Sequence, residues 1–207
     1  MYIKSSFLAL CIFLIGCTKC SKLSPIKPKK AAELIYPSDS TRLKNALDYC
    51  TQNNLNTELA ILIDLSKHSG NYRFFLVDLQ GCDTLLRGLC THGHCKEFEG
   101  RIANFSNQVG SNCSSLGKYK VGGKYTGSFG TSYKLHGLDS SNSNAFARFV
   151  VLHSHSCVPN VAQEDDICLS EGCPTISPAL LSNLEPYLDE ANKPILLWVY
   201  QRKPILL

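Results

Sequence analysis

No apolar run in this 207-residue sequence reaches the ~20 residues that a bilayer-spanning helix needs. Charge is scarce as well: Asp, Glu, Lys and Arg make up 18% of the chain against 44% hydrophobic residues, a balance that suits a packed globular domain rather than a disordered one. No internal repeat is visible, which excludes solenoids and propellers. Residues 18–30, "TKCSKLSPIKPKK", contain no acid, five lysines and two prolines, and read as an extended, solvated tether. The net charge is +4, and taking away Lys4 and those five lysines leaves −2 for everything else. The positive balance therefore belongs to the tether, where it suits anionic headgroups. No basic-aromatic patch is read in the sequence after it, so nucleic acid is excluded as a partner.

Cysteine is what the chain has in excess, with eleven in 207 residues. So many thiols point to an oxidising compartment. The amino terminus agrees: Lys4 precedes an apolar run from Phe7 to Ile15 that ends at Gly16, the form of an export signal. Leu14-Ile15-Gly16-Cys17 resembles a bacterial lipobox, in which cleavage before the cysteine is coupled to lipidation of its thiol. The organisation expected is a signal over 1–16, a tether over 17–37 with Cys17 as lipid anchor, and a domain over 38–207. The resemblance implies an exported bacterial lipoprotein on the outward, periplasmic face of an inner or outer membrane or elsewhere in the cell envelope. A monomer is expected.

Ser38 or Asp39 is placed to cap a helix whose apolar positions Leu43, Ala46, Leu47 and Cys50 follow helical spacing. Two apolar runs on either side of "SKHSGN" predict a hairpin turning near Ser69-Gly70-Asn71. Further strands are predicted in "TLLRGLCTHG", "GKYKVGG", "SYKLHGL", "ARFVVLHSHS" and "KPILLWVYQ". Ser177-Pro178 reads as an N-cap followed by proline at the first helical position, with Pro186 bending or ending that helix. The fold class expected is mainly β, with a few short helices.

Acyl chemistry at a thiolate needs a base, oxyanion donors and access for substrate. In "SEGCPTIS", Gly172 lets the backbone approach a substrate closely, and the Gly172 and Cys173 amides are candidate oxyanion donors. Upstream, "RFVVLHSHS" delivers His153 at the polar end of an apolar strand. The order HS…S-x-G-C resembles the signature of L,D-transpeptidases of the YkuD type. The segment from Phe105 to Ser154 also resembles the murein L,D-transpeptidase branch, through its F-S-N-x-x-G-S, S-S-L-G-x-Y and Gly-Leu…Asn…Arg features. The likeness runs from about Asn71 to Tyr200.

The resemblance implies a β-rich mixed sheet or sandwich of the L,D-transpeptidase type. It makes Cys173 the nucleophile, His153 its base or imidazolium partner and Ser154 the source of a carbonyl that orients the imidazole. Ser170 would support the turn. The reaction implied is attack on an L,D-peptide bond of a peptidoglycan stem, with a thioester resolved by an amine to form a crosslink. Water as acceptor would make the site an L,D-carboxypeptidase, and loss of activity would leave a wall-binding lipoprotein of the same fold. No cofactor is implied. The family usually has arginine two residues after the nucleophile, where this chain has Thr175, so that arginine's recognition of a substrate carboxylate does not transfer.

His155 shares a strand face with His153 and is the rival base. His92, His155 and Ser170 are candidates for the cleft. "CTHGHC", Cys90 to Cys95, packs four ligand-type residues too tightly for a tetrahedral metal site, so its cysteines are expected in disulfides. Setting aside Cys11, Cys17 and Cys173 leaves eight cysteines able to form four bridges. Asn107, Ser111, Ser115 and Tyr119 either line a groove or hold turns. The acidic-polar "NVAQEDDICL" is expected to be a solvated loop rather than a lid, and His68 a solvated turn residue.

Overall fold

A run such as "LAILID" has apolar residues on both faces of the extended chain, so it needs cover from both sides. The structure is a computed structural model describing residues 37–96 and 102–202. The expected signal, Cys17, Cys20 and the tether up to Tyr36 lie outside the described residues. Within them the chain forms α1 (Pro37–Gln52), β1 (Leu59–Asp64), β2 (Phe74–Asp78), β3 (Asp83–Gly88), β4 (Gly117–Gly127) and β5 (Gly130–Gly137). A single 3-10 turn, Ser140–Asn142, then leads to β6 (Val151–Ser154), β7 (Thr175–Ile176), α2 (Pro178–Asp189) and β8 (Leu196–Tyr200).

All eight strands belong to one mixed sheet ordered β3-β2-β1-β8-β4-β5-β6-β7, so the fold is mainly β. The predicted hairpin is the antiparallel β1–β2 pair. The carboxy-terminal strand β8 returns to the centre, parallel to β1 and antiparallel to β4. Side-chain alternation splits the core in two. Ala60 and Leu62 of β1 join Leu196 and Tyr200 beneath Leu43, Ala46 and Cys50 of α1. Ile61 and Ile63 face the other way, joining Tyr119, Tyr133, Leu135, Leu152 and Leu197 against Leu180, Leu181 and Leu184 of α2. Burying each of these leucine and isoleucine side chains contributes about 1.5–3 kcal/mol. Helix α1 therefore covers the β2-β1-β8 half of one face.

Ser177 caps α2 by accepting from the Leu180 N–H at 3.2 Å, with Pro178 directly after it. Pro186 does not end the helix, which runs to Asp189 and closes with the Glu190 N–H donating to Pro186 O at 3.0 Å. Helix α1 begins at Pro37, which puts Ser38 and Asp39 inside its first turn rather than at the cap.

The cysteine expectation needs correction. The disulfides among the described residues are Cys95–Cys113 and Cys157–Cys168, while Cys50, Cys82 and Cys90 stay free alongside Cys173. Cys50 and Cys90 are buried among apolar side chains, where a thiol behaves as a small hydrophobe. Burial pushes their pKa values up, to about 11 for Cys50 and about 12 for Cys90.

The acidic-polar segment is exposed from Asn160 to Asp166 but fastened at both ends. The Cys157–Cys168 bridge closes it, and Asp166 accepts from Ser69 Oγ at 2.7 Å. His68 is no idle turn residue: its Nε2 lies 2.8 Å from the same Asp166 carboxylate.

Candidate active site

Strands β5, β6 and β7 bring their polar positions to one place. Ser132 of β5 pairs with His153 of β6, and His153 pairs with Thr175 of β7. The turn leading into β7 carries Cys173. The turn before β6 carries Arg148 and Phe149, the latter held at φ 55°. Together they wall a cavity of about 900 Å³, and Cys173, His153, His155, Ser170, Thr175, Arg148 and Phe149 all line it.

The Cys173 thiol is free. Its Sγ accepts from the Val151 N–H at 3.5 Å and donates to Phe149 O at 3.7 Å. Burial raises its pKa, while the Val151 N–H and the Arg148 guanidinium pull it back down. His153 is 5% exposed. Its Nδ1 lies 3.1 Å from Ser154 O, an acceptor, which fixes Nδ1 as the protonated nitrogen and leaves Nε2 with its lone pair. Burial lowers the His153 pKa, with the His155 charge acting in the same direction and the Ser154 carbonyl opposing it. The lowering favours the uncharged imidazole.

Thr175 Oγ1 sits 3.1 Å from that Nε2. The residue in place of the family's usual arginine thus holds the imidazole from the side opposite Ser154. His153 and Cys173 are joined through Thr175, whose hydroxyl also lies 3.4 Å from Cys173 O. Phe129, at the tip of the β4–β5 hairpin, stacks on the His153 ring with centroids 4.6 Å apart and meets His155 edge-on at 5.9 Å.

The turn that carries Cys173 is held by hydroxyls. Ser170 Oγ donates to Cys173 O at 2.7 Å, and Thr91 Oγ1 donates to the same carbonyl at 3.2 Å. Gly172 has φ 108°, a conformation that side chains rarely adopt. A Cβ there would lie 2.6 Å from Cys113 O and 3.2 Å from Arg148 Nη2. The expected pair of oxyanion amides needs correction, because the Gly172 N–H donates to Ser170 Oγ at 3.2 Å and is committed there. The Cys173 N–H has no partner among the described residues.

His92 is not a cleft residue. It is 1% exposed, with Nδ1 3.0 Å from the guanidinium of the buried Arg73. Its neighbour His94 lines the cavity instead, 3.4 Å from Asn112, and the Cys95–Cys113 bridge brings those two segments together. Ser115 and Tyr119 bond each other at 2.8 Å in the core, and Asn107 holds the 3-10 turn through Ser140 O and Ser143 Oγ. Arg148 is the residue that sequence reasoning did not place. Its guanidinium donates to Ser106 O at 2.8 Å, Ser115 Oγ at 3.1 Å and Cys113 O, which holds a cation at the thiol's side of the cavity. The signal was present as the arginine five residues before His153, but not its direction.

A turn presenting a free thiol, an imidazole in a fixed tautomer and an anchored cation meet in one cavity, a set of groups that suits cysteine acyl transfer. A family profile for the L,D-transpeptidase catalytic domain matches residues 35–199, and the chain belongs to that family. No protein of curated function matches the sequence.

Among solved structures, an L,D-transpeptidase from Xylanimonas cellulosilytica is 14% identical, with a TM-score of 0.40, over 69% of this chain and 60% of that one. The helical cell shape determining protein Pgp2 from Campylobacter jejuni is 8% identical, with a TM-score of 0.48, over 83% of this chain and 58% of that one. An L,D-transpeptidase from Mycobacterium smegmatis is 13% identical, with a TM-score of 0.39, over 69% of this chain and 58% of that one. The aligned part of this chain spans about 60% of the length of these structures.

Proposed function

We propose that this protein is a peptidoglycan acyltransferase that uses Cys173 on the stem peptides of the bacterial wall. The observation that supports it is the arrangement of a free thiol and a neutral, carbonyl-anchored imidazole in one cavity, within a chain of the L,D-transpeptidase family. His153 Nε2 takes the Cys173 proton once Thr175 releases it. The sulfur then bonds to the carbonyl carbon of the L,D-peptide bond, and the oxyanion is received by the Cys173 N–H with Arg148 nearby. The carbon–nitrogen bond breaks, His153 returns the proton to the departing amine, and a thioester remains. An amine from a second stem attacks that thioester, re-forming the Cys173 thiol and joining two strands.

Anchoring belongs to the same reading: Cys17 carries acyl chains that hold the protein at a membrane. Purified sacculi incubated with the protein and then digested to muropeptides test the assignment. New crosslinked species that disappear with Cys173→Ala are expected. Shortened stems without crosslinks would make water the acceptor, and an unchanged profile would leave only a binder.

A further inference from the structure

The half of the sheet face that α1 leaves bare continues the catalytic cavity. Register puts Tyr125 opposite Ser132, Lys134 opposite Val151 and Lys120 opposite His136, so these residues share a face with Ser132 and His153. Contacts link them in a line. Tyr125 lines the Cys173 cavity. Lys134 Nζ sits 5.8 Å from the Tyr125 ring and 5.9 Å from that of Phe146. Phe146 stacks on His136 with centroids 5.5 Å apart and planes 12° apart, yet is 60% exposed. His136 and Lys120 then line a second cavity of about 460 Å³, which Lys193 and Leu188 of α2 also line, where β4 bulges at Gly122-Gly123.

No acidic side chain lines that cavity. Among the described residues Lys120, Lys134 and Lys193 are in no ion pair, whereas Lys118 binds Asp139 and Lys124 binds Glu185 and Asp189. The sequence has no contiguous basic-aromatic segment, but the fold assembles one. It does so on a body that is net negative beyond the tether, so these lysines are not part of a general positive excess.

We propose that this line is a second binding site, which holds the carboxylate-bearing glycopeptide strand that extends from the reacting stem. Lys120, Lys134 and Lys193 take its carboxylates, and the exposed Phe146 and Tyr125 rings pack against its sugar faces. Unpaired ammonium groups alternating with open rings match a polymer with both kinds of surface. Continuity with the Cys173 cavity is what selects the wall over any other polyanion. The inference rests on the stem-peptide reading of Cys173 for the identity of the polymer.

Retention on purified sacculi at low and high salt tests it, with Cys173→Ala protein as the reference so that no turnover occurs. The variant is Cys173→Ala with Lys120→Glu and Lys134→Glu. The charge-matched control is Cys173→Ala with Lys44→Glu and Arg87→Glu, both exposed and away from the line. Retention is expected to fall about tenfold or more in the first and not in the control, at equal melting temperature, and to weaken with salt. Sacculi whose carboxylates have been amidated should retain the reference protein as poorly. Equal retention of variant and control, or indifference to amidation, overturns the proposal. So does lysine-dependent binding to anionic phospholipid vesicles in place of sacculi. Because retention is read without Cys173, failure of acyl transfer leaves this test intact, and lost retention leaves acyl transfer standing.

Discussion

Replacing Gly172 with alanine tests the nucleophile turn at its tightest point. The new Cβ would stand 2.6 Å from Cys113 O and 3.2 Å from Arg148 Nη2, at a backbone φ of 108°. Neither neighbour can yield freely: Cys113 is bridged to Cys95, and its carbonyl already accepts from Arg148. An L-residue in this glycine region costs about 1–3 kcal/mol, and overpacking against fixed atoms about as much again. A total of roughly 2–6 kcal/mol corresponds to a fall in melting temperature of about 4–24 °C for a domain of this size. The chemistry should suffer more than stability does, because a shift of ~1 Å in a reacting atom costs on the order of a hundredfold in rate. Calorimetry and the rate of Cys173 acylation by a carbapenem, read by intact mass, measure the two effects. Gly123→Ala is the internal control, since its Cβ would meet nothing within 4 Å. If Gly172→Ala melts within a degree of the parent and acylates within threefold of it, the close approach described for this turn is wrong.

Removing the Arg148 charge with Arg148→Gln should shift the pH–rate curve for Cys173 alkylation to higher pH, because the guanidinium lowers the thiol's pKa against the burial that raises it. Arg148→Lys should recover part of that shift. In the native protein, exposed Cys82 and cavity-facing Cys173 should alkylate long before Cys50 and Cys90, which are buried with pKa values raised to about 11 and about 12. Peptide mapping after timed iodoacetamide treatment checks this order. Replacing both Cys157 and Cys168 by serine should destabilise the domain by about 2–4 kcal/mol. It should also loosen the Ile167–Leu169 wall of the cavity, raising KM more than it lowers kcat.

Much of the scaffold was legible because it rests on local rules. The Ser69-Gly70 turn, the Ser177 cap and the doubly buried β1 and β8 follow from residue type and period alone. Cys173 and His153 belong to two short motifs far apart in sequence, and the sheet register brings both residues to one cavity. What was not legible depends on partners distant in sequence. His92 and His94 are indistinguishable in "CTHGHC" until Arg73, just before β2, buries the first and Asn112 meets the second. Cys90 and Cys95 look alike until Cys113 arrives beside only one of them. The Gly172 amide looked like an oxyanion donor until the Ser170 hydroxyl claimed it. Thr175 read as a missing arginine, yet its hydroxyl lies 3.1 Å from His153 Nε2.

The central claim is that Cys173 forms a thioester with its acyl donor. Intact-mass spectrometry of the protein after incubation with a carbapenem, followed by peptide mapping, addresses it directly. The account predicts a single adduct on Cys173, absent from Cys173→Ala and slowed by at least about a hundredfold in His153→Ala. An adduct of equal amount in Cys173→Ala would contradict it.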